Sequence, residues 1–269
     1  IYGDFECLTT KTCQDSQPCN INKPYTKKYQ HHLPSGFKIN VVNSVSETSD
    51  TYIYRGADCM EVFCRKIKEI ENNIMTILKT NKEIEMTEAD MLDFNNATHC
   101  YLCNGQFSPD EKKGCKVRDH CHITGKYRGC AHNVCNINYN YKNIKIPVFF
   151  HNLKNYDAHL IISNAHKFNA SKIDVIAQNS EKFITFGFDH LLFKDSLSFL
   201  PLSLDKLVKL NKYKSIDGKD VLIDGWEKNF KFSRQNEYIK NTYDLNLLTE
   251  KGVYPYDYMN SWAKFDEKE

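Results

Sequence analysis

Two pairs of metal-ligand residues with identical spacing, Cys100-x-x-Cys103 and His132-x-x-Cys135, bracket a short basic stretch in the middle of the chain. A thiolate or imidazole pair two residues apart can grip one ion from a single tight turn. Two such pairs across a hairpin make the tetrahedral ligand set of a structural zinc site. Reading the pairs as two unrelated turns has to explain both spacings at once. Cys130 also lies near Cys135 and ranks second to His132 as third ligand, while Cys115 and Cys121 read as bystanders. Between the pairs, Thr124-Gly125-Lys126 has the composition of a hairpin turn. It joins the strands "VRDHCH" and "KYRG", and a helix is expected from about Ala131 to Tyr141.

The remaining cysteines do not suggest a disulfide framework. The chain of 269 residues holds 11 of them, an odd number irregularly spaced outside the central cluster. With no secretory signal in view, the expectation is an intracellular, reducing compartment, with Cys7, Cys13, Cys19, Cys59 and Cys64 as thiols. No apolar run approaches the roughly 20 residues of a membrane helix, so no membrane partner is expected. The first residue is Ile1 rather than Met, and the expectation is a piece of a longer protein. A net charge of +2 gives no global basic field, so any nucleic-acid binding must come from local patches.

Around the cluster, strand and helix patterns alternate. "IYGDFECLTT", "GFKINVVNSV" and "TYIYRG" read as strands. From Asp58 to Lys79, Met60, Phe63, Ile67, Ile70, Ile74 and Ile77 recur at helical spacing, a stripe expected to pack into a core. "IPVFFHN" reads as a buried strand, followed by a helix from about Tyr156 to Lys167. Three strands, "KIDVIAQNS", "KFITFGF" and "HLLFKDS", precede a helix over "SLDKLVKLNKY". The fold class is α/β, interrupted by a small zinc-stapled ββα module. The expected organisation is 1–57 as the first part of the main domain, 58–98 as a helical connector, 99–145 as the metal insert and 146–269 as the remainder.

Over roughly Cys100 to Tyr141, the order "DH…TG…RG…C" with a following Asn resembles the His-Me finger (HNH) nucleases, most closely the endonuclease VII type. That resemblance implies a magnesium ion held by Asp119 and Asn136, with His120 activating water as general base. It also implies that Lys116, Arg118, Lys126 and Arg128 meet a phosphate backbone. His132 stands where that family usually has cysteine. Adjacent strand residues point to opposite faces, so Asp119 and His120 converge only where the strand ends or bulges. An active nuclease and a purely structural zinc insert both remain open.

A second signature spans the chain. Asp4 and Glu6 in "YGDFEC" alternate onto one face of their strand, and "FFHNLKNYD" places Asn152, Tyr156 and Asp157 after a buried strand. Carboxylates gathered on one sheet face can hold two metal ions for in-line phosphodiester hydrolysis. With "FKDSLSFLPLSLDKL", "LLTEKGVYP", "YQHHLPSGF" and "GVYPYDYMNSW", the chain resembles the exonuclease region of protein-primed family B DNA polymerases of the Polinton/Maverick or linear-plasmid type.

The resemblance implies an RNase H-like 3′→5′ proofreading exonuclease. Asp4, Glu6 and Asp157 would bind catalytic magnesium or manganese, and Lys251 would serve the reaction centre with Tyr254 as its apolar partner. Asn152, Tyr156, Ser196 and Leu197 would hold a single-stranded 3′ end, partly by stacking. DNA and a terminal priming protein would be the partners. The third exonuclease motif and the polymerase palm are not found before Glu269, so polymerase activity is not expected of this piece. Plainer readings exist for single residues: Asp157 as an acid favoured at a helix N-terminus, Asn152 as a turn residue, Ser196 as a cap. Two other functions compete: an HNH-type DNA endonuclease working through the insert, and a non-catalytic zinc- or DNA-binding transposon remnant.

Overall fold

The computed structural model describes residues 1–11, 30–108, 114–138, 144–179, 182–236 and 239–267. Cys13 and Cys19 lie outside the described residues. The chain divides into two compact units, one of Ile1–Lys66 with Pro147–Glu269 and one of Ile67–Ile146.

The first unit is built on strand β1 (Tyr2–Lys11), flanked by β2 (Gln30–Asn43) and β3 (Thr48–Arg55) in an antiparallel meander. Helix α1 (Cys59–Leu78) starts in this unit. Its buried face is Met60, Phe63, Cys64, Ile67, Ile70 and Met75, whereas Ile74 is half-buried and Ile77 exposed. The expected stripe therefore drifts by one position in its last two turns, because a straight helix repeats every 3.6 residues and not every 3.5.

The second unit contains α2 (Glu88–Asn96), β4 (Lys116–His120), β5 (Tyr127–His132) and α3 (Asn133–Asn138). β4 and β5 pair as an antiparallel hairpin, and α3 begins two residues later than the composition suggested because β5 runs on through His132.

Strand β6 (Ile146–Phe150) returns the chain to the large sheet, parallel to β1 through Tyr2 and Phe149. Helix α4 (Asp157–Ser163) follows, and the expected longer helix breaks at Asn164, whose side chain donates to the Leu160 carbonyl at 2.9 Å. A 3-10 turn then covers Ala165–Phe168. Strands β7 (Ile173–Ala177), β8 (Phe183–Phe188) and β9 (Leu191–Asp195) form a second antiparallel meander. The seven strands lie in the order β3-β2-β1-β6-β9-β8-β7.

Helix α5 (Leu204–Lys212), the hairpin β10 (Tyr213–Ile216) and β11 (Lys219–Leu222), and helix α6 (Thr242–Leu248) complete the first unit. The β10–β11 hairpin turns on Asp217 and Gly218, both with positive φ, the conformation that Asp-Gly favours. No described helix is long and apolar enough to cross a membrane.

The core of the first unit is a phenylalanine cluster. Phe63 packs against Phe5 (ring centroids 4.7 Å apart), Phe37 (5.3 Å) and Phe150 (6.3 Å). Phe168, Phe186, Phe188 and Phe193 continue it beneath the second meander. Because Phe5 faces this core, strand alternation sends its neighbours Asp4 and Glu6 to the opposite face. Gly3 shares the core face with Phe5, and a Cβ there would lie 2.5 Å from the Phe150 ring. Gly3→Ala should therefore cost about 1–3 kcal/mol by overpacking. Gly252→Ala, where nothing lies within 4 Å, should stay within about 0.5 kcal/mol. Urea unfolding of the two variants checks the difference.

Candidate functional site

In the second unit the four residues of the paired motifs come together. Cys100, Cys103, His132 and Cys135 place their ligand atoms within 4.8 Å of one another. Cys100 and Cys103 sit on a knuckle closed by the Asn104 N–H donating to the Cys100 carbonyl at 2.8 Å. Asn104 takes positive φ there, and Gly105 keeps its α-carbon clear beside the Cys103 sulfur. His132 ends β5, and Cys135 lies in the first turn of α3.

The His132 ring is oriented by a hydrogen bond of Nε2 to the Gln106 carbonyl at 3.1 Å. A carbonyl only accepts, so Nε2 carries the proton and Nδ1 is left as the ligand, 3.3 Å from the Cys103 sulfur. Burial opposes ionisation of Cys100, but N–H groups of Cys103, His132 and Leu102 outweigh it and bring the thiol down to about 6. Burial and the two neighbouring thiols push Cys135 up to about 11. Three thiols crowded this way need a cation to ionise together. This Cys3His cluster can hold a metal such as zinc. Cys130 is not in the set; it is buried on β5.

Of the residues suggested for catalysis in the same hairpin, Asp119 and His120 have partners within the unit. A register shift between Asp119 and His120 supplies the bulge that alternation requires. The buried Asp119 carboxylate accepts from Arg128 Nη2 at 2.7 Å and from the Tyr101 hydroxyl. Gly129 faces Asp119 across the hairpin, and a Cβ there would lie 2.8 Å from the Tyr101 ring. Only glycine lets Tyr101 reach over the strand.

His120 Nε2 faces the Lys82 carbonyl at 3.1 Å, and Asn136 lies half-buried on α3. Lys116 donates to the carbonyls of Asn95 (3.1 Å) and Ala97 (2.9 Å), so it caps the C-terminal end of α2. The Arg118 guanidinium lies 4.5 Å from the Phe94 ring centre. These cations serve the unit's own packing.

In the first unit, Asp4, Glu6 and Asp157 approach one another from distant parts of the sequence. Asp157 opens α4 and is 4% exposed, and its Oδ1 has no hydrogen-bond partner among the described residues. Burial, then the charges of Asp4, Asp195 and Glu6, raise its carboxyl to about 7. Burial also raises Asp4, against hydrogen bonding at Phe5 and the charges of His151 and Lys38. Glu6 is raised by burial and by Asp4, with the Tyr256 hydroxyl bonding to its Oε2 at 3.3 Å as partial relief.

Four residues expected to hold a DNA end lie around this group, each in a defined local structure. Asn152 adopts positive φ and accepts from Asn155 Nδ2 at 2.6 Å, the geometry of a turn residue. Tyr156 points its hydroxyl at His32 Nδ1, 2.7 Å away. Burial and the adjoining Cys7 thiol hold that hydroxyl well above the ordinary phenol range. Ser196 bonds to His151 Nδ1 at 2.9 Å, and the Leu197 N–H donates to Asp195 Oδ1 at 2.9 Å. Lys251 is exposed in the segment after α6, while Tyr254, three residues on, lines a cavity with Asp4 and Glu6.

Asp195 is the residue that the motif reading missed. Buried at the end of β9, it accepts N–H groups from Asn152 (2.9 Å), Lys154 (3.1 Å) and Leu197. It thereby ties the turn before Asp157 to the sheet. An Asp directly before Ser-Leu is an N-cap pattern, and that was the available signal. No family model, no curated protein and no solved structure matches this chain.

Two outcomes follow. Cys103→Ala or His132→Ala should abolish stoichiometric zinc binding and unfold the second unit, whereas Cys130→Ala should retain the metal, as read by metal analysis and circular dichroism. The fold favours the protonated form of Asp157, whose carboxyl stands at about 7 against an ordinary 3.8. Its stabilising contribution is complete below a pH of about 4 and is lost as the pH rises through about 7. Asp157→Asn should flatten the fall in urea stability across that window.

Proposed function

We propose that this chain is the exonuclease region of a protein-primed family B DNA polymerase, an RNase H-like nuclease that removes nucleotides from a single-stranded 3′ end. The observation that carries the proposal is the meeting of Asp4, Glu6 and Asp157, with Asp157 buried and one of its oxygens unpartnered. Such a carboxylate group is costly unless a cation neutralises it. The sheet supports the same reading: a central acidic strand has an antiparallel meander on one side and, on the other, a parallel strand leading to the helix of Asp157.

Magnesium or manganese held by Asp4, Glu6 and Asp157 would neutralise the phosphate and make bound water a stronger nucleophile. The chain's own residues set the stage for that chemistry. Asp195 fixes the Asn152 turn, and His32 orients Tyr156 beside the carboxylates. Ser196 and Leu197, held by His151 and Asp195, would line the path of the strand. Lys251 is the cation that the resemblance assigns to the reaction centre. Zinc in the Cys3His cluster would staple the finger as a structural element.

The same proposal implies a terminal priming protein as partner and a reducing compartment; no disulfide joins the described cysteines. A finger endonuclease is the weaker reading, because Arg128 and Tyr101 engage the Asp119 carboxylate.

Digestion of a 5′-labelled single-stranded oligonucleotide with manganese tests the proposal. The expected result is a ladder shrinking from the 3′ end, slowed at least about a hundredfold by Asp4→Ala or Asp157→Ala and unchanged by His120→Ala. Internal cuts lost only with His120→Ala would transfer the activity to the finger. Absence of cleavage in the zinc-loaded protein would leave this chain without the proposed activity.

A further inference from the structure

The cavity beside the carboxylates carries its own cations. Its walls include Asp4, Glu6, Ser35, Lys38, Arg55, Tyr254 and Phe265, and its volume is about 300 Å³. The register explains how acids and bases share one face. Asp4 pairs with Lys38, which pairs with Ile53; Glu6 pairs with Gly36, which pairs with Arg55. Directly opposed residues on antiparallel strands put their side chains on the same face, with β-carbons about 5 Å apart. That face is the reverse of the one carrying Phe5 and Phe37 to the core. Gly36 leaves room for Arg55: a Cβ at position 36 would lie 3.3 Å from Arg55 Cγ and 3.1 Å from the Tyr54 carbonyl.

Two features of this wall call for an anion. Among the described residues neither Lys38 nor Arg55 has a salt bridge, although two carboxylates line the same cavity. The rest of the boundary is mostly apolar and includes Ile53 and the aromatic residues Tyr54, Tyr254 and Phe265. A cavity this small sits at the lower limit of small-molecule sites, too small for a duplex and adequate for a single nucleotide. Arg and Lys together suit a phosphate monoester, the guanidinium by a paired contact and the ammonium as a point charge. An aromatic wall suits a base, which stacks regardless of its sequence.

We propose that Lys38 and Arg55 form a phosphate-holding wall that works without metal, and that the cavity takes a nucleoside 5′-monophosphate with its base against Tyr254 and Phe265. This deepens the nuclease reading and rests on it for the choice of nucleotide, since a terminal nucleotide and its released monophosphate share that chemistry. The carboxylates and the cations then divide the work. The acids await a divalent ion, while Lys38 and Arg55 hold the phosphate in register whether or not the ion is present.

Calorimetric titration of the zinc-loaded protein, in buffer without magnesium or manganese, tests the wall independently of cleavage. The probes are deoxyadenosine monophosphate, deoxyadenosine and inorganic phosphate. The monophosphate should bind more tightly than either fragment, and more weakly as salt is raised. Lys38→Ala with Arg55→Ala should weaken it by about tenfold or more, while Lys38→Arg alone should retain most of the affinity. Asp4→Asn should tighten it, because a like charge is removed from the phosphate's surroundings.

Equal binding of monophosphate and deoxyadenosine, or of monophosphate and inorganic phosphate, would overturn the assignment. So would affinity untouched by the double variant, with its melting curve unchanged, or no binding of the monophosphate. Phosphate-selective binding in a protein that cleaves nothing would uphold the wall and count against the nuclease reading.

Discussion

The burial of Phe5 against Phe63, Phe37 and Phe150 sets the register of β1, and the site depends on that register. A slip of one residue would send Phe5 to solvent and Asp4 into the core. The bulge after Glu6 adds to this constraint. Ser35 is the extra residue on β2, and its hydroxyl donates to the Glu6 carbonyl at 3.1 Å. The acidic pair is therefore a consequence of where the phenylalanines go. Gly3 is the counterpart of that packing, the position at which β1 comes too close to Phe150 for any side chain.

The carboxylates illustrate how a fold stores an unfavourable arrangement where it has a use. Asp195 is buried and satisfied by three backbone N–H groups, which is the ordinary state of a buried acid. Asp157 is buried, carries an unpartnered oxygen and lies among like charges. Asp195, at the end of β9, accepts from the N–H groups of Asn152 and Lys154 in the turn that leads into Asp157. The finger solves a different problem. Between α2 and α3 the buried apolar residues among those described are only Cys100, Cys130 and Ala131, so a metal cluster can serve as a core there, and Asp119, Arg128 and Tyr101 act as a polar staple across the hairpin.

Much of this was legible in the sequence. The paired spacings gave the four metal ligands directly, because ligand geometry is local, and His132 rather than Cys130 completes the set. The strands of the large sheet were read from their apolar and aromatic runs, although β2 begins at Gln30, six residues before the run expected from Gly36. What escaped was set by tertiary contact. The resemblance implied a phosphate contact for Lys116 and Arg128, and a sequence shows a basic residue's charge without its partner; the fold gives these two the carbonyls at the end of α2 and Asp119 as partners. Lys38 and Arg55 drew no notice, since their placement beside Asp4 and Glu6 depends on cross-strand pairing between distant segments. The Asp217-Gly218 hairpin was a readable signal that lay outside the motifs.

On the proposed reading, Asp4, Glu6 and Asp157 form a cation site whose repulsion the protein tolerates until an ion arrives. Thermal unfolding of zinc-loaded wild type and Asp157→Asn at about pH 8, with and without manganese, tests that claim most directly. Manganese should raise the wild-type Tm, and Asp157→Asn should raise it without metal and no longer respond to manganese. A manganese response that survives Asp157→Asn, or a variant less stable than wild type in the absence of metal, would contradict it.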